Sequence, residues 1–142
     1  MASKVIHCGS SGGAGQAAKL CNNMVLAVQQ IAVGEAFVLA EKLGLSAQSL
    51  FDVITGATGN CWAVHTNCPV PGPVPTSPAN NNFQPGFATA LMNKDLGLAM
   101  NAVSSTGATA PPLGTHAAEI YAKFAEAHPP DLDFSAVIET LR

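Results

Sequence analysis

Lys19 is the first residue with potential for chemistry, because it is the only charged side chain between Lys4 and Glu35. Asn23 follows four residues later, so on a helix the two side chains lie on the same face. A lysine held in a desolvated cleft transfers protons readily, and a neighbouring amide can orient a substrate. The pair predicts a general acid/base site, with a lysine that extends into water near a helix start as the alternative.

A charged pair, Lys94 and Asp95, ends a stretch without charged side chains that begins after Asp52. Lys94 is a candidate cation for a cofactor or substrate oxygen, and the alternative is a solvated pair on a helix surface. The four histidines and four cysteines have no spacing typical of a triad, a metal site or a disulfide framework. We therefore predict no metal site, and reduced thiols in a cytoplasmic protein.

The composition argues against several other classes of protein. The chain has 142 residues, 48% of them hydrophobic and 11% charged, with a net charge of −3, whereas typical soluble domains have about 25% charged residues. Disorder and nucleic acid binding are disfavoured. The most apolar segment, residues 24–40, contains Gln29, Gln30 and Glu35, which favours a buried helix over a membrane span. The low charge indicates a surface that another domain or chain covers.

The elements that must position these side chains are mainly helices. Apolar residues at a spacing near 3.6, together with glycine, serine and proline boundaries, predict each element. They are a strand at Lys4–Cys8, helices at Gln16–Leu43, Ser46–Ile54, Thr89–Ser105 and Leu113–Ala127, and a helical stretch from Asp133 to Leu141. A proline-rich but ordered loop is expected between Thr58 and Pro85. The predicted fold class is therefore all-α, with a long first helix and one stray N-terminal strand.

The glycine-rich turn between Gly9 and Gly15 does not predict a phosphate-binding loop. Gly15 is followed by Gln16, where a Walker loop needs lysine. No second strand follows the helix, as a dinucleotide-binding unit requires. This stretch of sequence therefore holds no complete nucleotide-binding fold.

Two motifs, in order and in register, resemble the signatures of the β-hydroxyacid dehydrogenases. Gly-Ala-Gly-Gln-Ala-Ala-Lys-Leu-Cys-Asn-Asn at residues 13–23 is similar to that family's Gly-x-Gly-x-x-x-Lys-x-x-x-Asn motif. Phe87 followed by Leu-Met-Asn-Lys-Asp-Leu at residues 91–96 is similar to its Lys-Asp-Leu helix. Cys61-Trp62 and the Asn67–Gly72 loop resemble the branch that acts on 3-hydroxyisobutyrate in valine catabolism.

The resemblance implies a division of the chain. In this family a Rossmann domain is followed by a connecting helix and an all-α domain of the 6-phosphogluconate dehydrogenase-like type. Residues 1–14 would match the last strand and turn of the Rossmann domain, and residues 15–142 the helical substrate and dimerisation domain. The turn at Gly9–Gly15 has one residue more than the family's usual glycine spacing, which affects how it would join the Rossmann domain.

The resemblance also implies an activity, the NAD-dependent oxidation of 3-hydroxyisobutyrate to methylmalonate semialdehyde. Lys19 matches the catalytic lysine, Lys94 the cofactor-binding lysine, and Asn23, Phe87 and Asp95 match substrate-binding positions. The Rossmann domain would hold most of NAD and would carry the residue that discriminates NAD from NADP, so this chain alone is expected to be inactive. A homodimer or homotetramer is implied. The alternatives are a tartronate or succinic semialdehyde reductase, or a non-catalytic helical dimerisation module.

Overall fold

The structure is a computed structural model that describes residues 5–84 and 86–142. These residues fold mainly into helices. The helices are α1 (Ala14–Lys42), α2 (Ala47–Thr55), α3 (Trp62–His65), α4 (Thr89–Thr106) and α5 (Pro112–Ala127), with 3₁₀ helices at Pro78–Asn81 and Phe134–Thr140. The predicted all-α class is confirmed. The last helical stretch begins after Asp133 as predicted, but it is a 3₁₀ helix.

The predicted N-terminal strand is not formed in the described residues 5–8, and Lys4 lies outside the described part of the chain. A strand needs a neighbour that shares its backbone hydrogen bonds, and no described segment pairs with residues 5–8. The predicted strand is therefore absent from residues 5–8, because no described segment is available to pair with them. The described residues form one isolated antiparallel bridge, between Ala88 and Asp133.

The long loop predicted from Thr58 is ordered, but it contains α3 and the first 3₁₀ helix, which the sequence did not indicate. Each is only four residues long, too short for a periodic pattern. Side chains hold the loop together: the Ser77 hydroxyl donates to the Cys68 carbonyl at 2.5 Å, and Asn80 Nδ2 donates to the Val74 carbonyl at 2.8 Å. Pro85, the predicted end of the loop, lies outside the described residues.

Helix α1 is the axis of the fold and contacts the other four α-helices and the C-terminal 3₁₀ helix. Gly34 allows one close approach, since a Cβ there would lie 2.9 Å from Leu141 Cδ1. By length and composition α1 could cross a membrane, but 44% of its most apolar window is buried inside the fold. A core helix passes the same test, so the buried-helix interpretation is retained.

Burial along α1 is uneven. Residues 15–19 are all exposed, and the first buried side chain is Asn23. Further along, one side faces the bundle, while Val25, Leu39 and Leu43 on the other side are 52%, 60% and 69% exposed. The start of α1 therefore projects beyond the bundle, and Lys19 lies on this projecting part.

Tyr121 provides a test of the core. Its fully buried hydroxyl donates to the Phe134 carbonyl at 3.1 Å. Burial raises the pKa of Tyr121, and the nearby negative charge of Asp133 raises it further. Tyr121→Phe should lower the free energy of unfolding by about 1–2 kcal/mol near neutral pH, because the Phe134 carbonyl loses its donor.

The raised pKa of Tyr121 also predicts how stability depends on pH. Above pH 10.0, the usual pKa of tyrosine, the unfolded chain releases the phenolic proton while the folded chain retains it. The unfolded state then binds fewer protons, so stability falls as pH rises. Urea unfolding across this range should show a smaller decline for Tyr121→Phe than for the parent chain. Equal declines would contradict the assignment.

Candidate active site

Three of the predicted site residues meet where α1 packs against α4. Lys19 Nζ lies 3.1 Å from Asp95 Oδ2 and 3.3 Å from Asp95 Oδ1. Asn23 Nδ2 donates to Asp95 Oδ2 at 2.6 Å. Lys19 and Asn23 are one turn apart on α1, so both reach the same carboxylate on α4. We refer to this group as the Lys19–Asn23–Asp95 cluster.

Within the cluster the carboxylate of Asp95 is buried, whereas the side chain of Lys19 is exposed to solvent. The side chain of Asp95 is only 6% exposed, whereas that of Lys19 is 53% exposed. The prediction of a desolvated lysine is therefore wrong in this chain, because α1 extends beyond the bundle at that point. The alternative of a solvated Lys94–Asp95 pair is wrong for Asp95. A buried carboxylate is stable only when it is paired, and both members of the α1 pair serve that purpose.

The geometry leaves hydrogen-bonding capacity for a ligand. A lysine ammonium has three N–H donors, and the Lys19 contacts are all with the carboxylate of Asp95. The Asn23 amide is oriented twice: its nitrogen donates to Asp95, and its oxygen accepts from Asn22 Nδ2 at 3.2 Å. That oxygen has a second lone pair. The cluster can therefore present a fixed positive charge and a fixed acceptor to a hydroxylated anion.

The other two predicted site residues lie differently. Lys94 is exposed on α4, and its side chain makes no hydrogen bond or ion pair with the residues that the structure describes. Phe87 is half-buried, and its ring packs edge-on against Phe134 at a centroid distance of 5.7 Å. Its backbone N–H donates to Asp133 Oδ2 at 2.7 Å. Lys94 is thus free to meet a ligand, while Phe87 is anchored to the core.

A nicotinamide cofactor is the group that the sequence resemblance implies, and the described residues fit one part of it. Lys19, which pairs with the buried Asp95, and Lys94, the neighbour of Asp95 on α4, are two exposed lysines. Such groups suit the anionic oxygens of a dinucleotide and of a carboxylate substrate. The described residues offer no phosphate-binding loop for the dinucleotide, because the Gly9–Gly15 turn has no lysine and is not part of a dinucleotide-binding unit.

Trp62 and Asp133 make contacts that the sequence did not indicate. Trp62 is 44% exposed and lines a cavity of about 340 Å³ beside α1, together with Asn22 and Gln29. Asp133 is the predicted cap of the last helix, and its Oδ1 accepts from Ser135 N at 3.0 Å. It also accepts from Asn67, far away in sequence. No periodic signal could have found either contact.

Known proteins match the chain throughout its length. A family model described as "NAD-binding of NADP-dependent 3-hydroxyisobutyrate dehydrogenase" matches residues 13–141. The probable 3-hydroxyisobutyrate dehydrogenase of Mycobacterium tuberculosis (strain ATCC 25618 / H37Rv) is 84% identical over the whole chain, which covers 47% of that protein. The mitochondrial 3-hydroxyisobutyrate dehydrogenase of Homo sapiens is 43% identical over the whole chain, which covers 42% of it.

Solved structures agree with these matches. The Mycobacterium tuberculosis 3-hydroxyisobutyrate dehydrogenase with L-serine superimposes with a TM-score of 0.94 at 84% identity, over all of this chain and 48% of that one. The 3-hydroxyisobutyrate dehydrogenase of Salmonella typhimurium gives a TM-score of 0.78 at 26% identity, over 98% of this chain and 46% of that one.

The matching proteins are dehydrogenases, as the two motifs predict. More narrowly, the chain belongs to the family described as NAD-binding of NADP-dependent 3-hydroxyisobutyrate dehydrogenase. The predicted family is confirmed, and the family's description supports NAD as the cofactor. The chain spans about half the length of the curated relatives it matches.

Proposed function

We propose that this chain is the helical, lysine-bearing half of a cytoplasmic, NAD-dependent 3-hydroxyisobutyrate dehydrogenase of valine catabolism. The observation that carries the proposal is the Lys19–Asn23–Asp95 cluster, in which an exposed ammonium is fixed by a buried carboxylate. Its three residues are those that the family motifs mark. The names of the relatives agree with 3-hydroxyisobutyrate as the substrate.

In this proposal Lys19 acts on the substrate hydroxyl. Bound NAD would supply the acceptor for the hydride. Because the Lys19 side chain is half-exposed, its ammonium group can first release one proton to solvent. The resulting amine accepts the hydroxyl proton, and the ammonium so regenerated stabilises the negative charge on the hydroxyl oxygen. The product is methylmalonate semialdehyde.

The other residues of the proposed site bind and orient. Asn23 accepts a hydrogen bond from the substrate with its amide oxygen, and Lys94 attracts the anionic oxygens of the cofactor. Asp95 keeps Lys19 and Asn23 in one geometry through its two contacts. Phe87 forms an apolar wall for the substrate.

Assembly as a homodimer or homotetramer is part of the proposal. The apolar residues Val25, Leu39 and Leu43 leave one side of α1 open. A groove of about 350 Å³ continues this surface between α1 and the start of α5, where Leu113 is 70% exposed. Apolar area of this kind is typical of obligate interfaces. It also supports contact with a Rossmann domain.

The chain by itself should neither bind NAD tightly nor turn over substrate, because its glycine turn offers no phosphate-binding loop. Isothermal titration with NAD and an assay of NADH absorbance on 3-hydroxyisobutyrate check both statements. Micromolar affinity or measurable NADH formation by the isolated chain would contradict this part of the proposal.

Activity should appear in a two-domain protein, in which this chain replaces the matching 142 residues of the Mycobacterium tuberculosis relative. The 84% identity makes that exchange conservative. Steady-state rates on 3-hydroxyisobutyrate, and in reverse on tartronate and succinic semialdehydes, discriminate among substrates. A higher kcat/KM on either semialdehyde would favour the corresponding reductase.

A non-catalytic dimerisation module remains the second candidate, favoured by the open apolar side of α1. In that case the substitution of Lys19 would not change the rate of the two-domain protein.

A further inference from the structure

Asp133 is the centre of a second buried polar group, separate from the Lys19–Asn23–Asp95 cluster. Its side chain lies in the C-terminal part of the fold, and the residue is 2% exposed. Oδ1 accepts from Asn67 Nδ2 at 2.9 Å and from the N–H and hydroxyl of Ser135 at 3.0 and 2.5 Å. Oδ2 accepts from the Phe87 N–H at 2.7 Å. One carboxylate therefore joins three chain segments.

The network continues to α1 through Asn67. The carbonyl of Asn67 accepts from Gln30 Nε2 at 3.3 Å, and Gln30 is completely buried in α1. The order of contacts is therefore Gln30, Asn67, Asp133 and then the Phe87 backbone. It links the helix that carries Lys19 to the segment that enters α4.

Phe83 and Phe87 are both held by Asp133. The Asp133 N–H donates to the Phe83 carbonyl at 2.9 Å, while its carboxylate accepts from Phe87. Phe83 has a φ of 59°, which is unfavourable for a bulky residue and persists only where surrounding contacts impose it. Gly86 lies against the Asp133 carboxylate so closely that a Cβ would overlap it. Phe83, Gly86 and Phe87 are therefore closely held by Asp133.

We propose that Asp133 is a positioning residue for substrate binding. It acts through Phe87, whose location relative to α1 it sets by way of Asn67 and Gln30. The inference rests on the proposed function, in which Phe87 forms a wall of the hydroxy acid site. Its position fixes the shape of that site, so its displacement weakens substrate binding more than it affects the chemistry at Lys19.

Asp133→Asn separates this role from general stability. In the variant, the amide oxygen can keep the three donors from Asn67 and Ser135 only if the amide nitrogen turns toward the Phe87 N–H. Two donors then face each other, and the Phe87 segment is released selectively. Gly86→Ala should displace Phe87 by a different route. The new Cβ would overlap the Asp133 carboxylate, which itself stays intact, so the backbone at residues 86 and 87 must move away from it.

In the two-domain protein, both variants should raise KM for 3-hydroxyisobutyrate about tenfold while kcat changes by less than about threefold. KM for NAD should not change. Gly97→Ala is the matched control, since a Cβ there meets nothing within 4 Å. Thermal unfolding identifies variants whose losses reflect a smaller folded fraction.

The outcomes distinguish this inference from the proposed function. If the parent two-domain protein is active and depends on Lys19, but Asp133→Asn and Gly86→Ala leave KM unchanged, Asp133 is not a positioning residue. A loss of kcat in proportion to the folded fraction, with normal KM, also overturns the inference. If the two-domain protein is inactive on every hydroxy acid, the proposed function itself has failed.

Discussion

Replacement of Lys19 by alanine in the two-domain protein should lower kcat by about a thousandfold, the middle of the range for loss of a general acid/base. In the proposed mechanism Lys19 is the general acid/base, and Asp95 fixes its position at a distance of 3.1 Å. Thermal stability should also fall, because the buried Asp95 carboxylate then keeps only Asn23 as a partner, so kcat is compared at equal folded fraction. Steady-state kinetics on 3-hydroxyisobutyrate measure the effect.

Lys42→Ala is the matched control for this substitution. Lys42 is the other lysine of α1 and is exposed in its last turn, so its removal takes away the same charge at the far end of the same helix. Its kcat should match that of the parent. An unchanged rate in Lys19→Ala would leave only the dimerisation module, whereas lost rate with intact oligomeric mass supports catalysis.

Lys19→Arg separates the charge of this residue from its proton transfer. Arginine keeps the positive charge and can pair with Asp95, but it does not give up its proton. We expect KM for the hydroxy acid to stay near that of the parent while kcat remains low. Recovery of kcat by arginine would limit Lys19 to an electrostatic role.

The sequence predicts the helices well because their signals are local. Ser46 caps α2 by accepting from Ser49 N at 3.1 Å, and Gly107 ends α4 with a φ of 67°, both as the residue types indicate. Each depends on a few neighbouring residues. The strand at residues 5–8 fails for the opposite reason, since a strand requires a partner from elsewhere.

Parts of the candidate site depend on distant contacts that no local pattern encodes. The burial of Asp95 depends on which side of α4 meets α1, and the two helices are far apart in sequence. The Asp133 network combines Gln30, Asn67 and Phe87, none of which is periodic with another. Phe83 adopts a φ that its own side chain disfavours. In these places tertiary packing overrides local preference.

The role assigned to Asp95 leads to the second large effect. Asp95→Asn keeps the shape of the side chain but removes the negative charge that faces Lys19. The ammonium is then free to move in solvent, and one acceptor for Asn23 is retained. In the two-domain protein kcat/KM should fall about a hundredfold, since small displacements of a catalytic group have effects of that size.

Because Asp95 is proposed to act through Lys19, its effect should depend on the presence of the lysine. In the Lys19→Ala background, Asp95→Asn should lower kcat/KM by less than about threefold further, since residues that act as a unit are strongly non-additive. Asp131→Asn, at an exposed aspartate, should have no effect in either background. If the two substitutions lower kcat/KM by independent factors that multiply, Asp95 contributes to binding or folding without orienting Lys19. The contacts of Asp95 with Lys19 and with Asn23 would then be functionally separate.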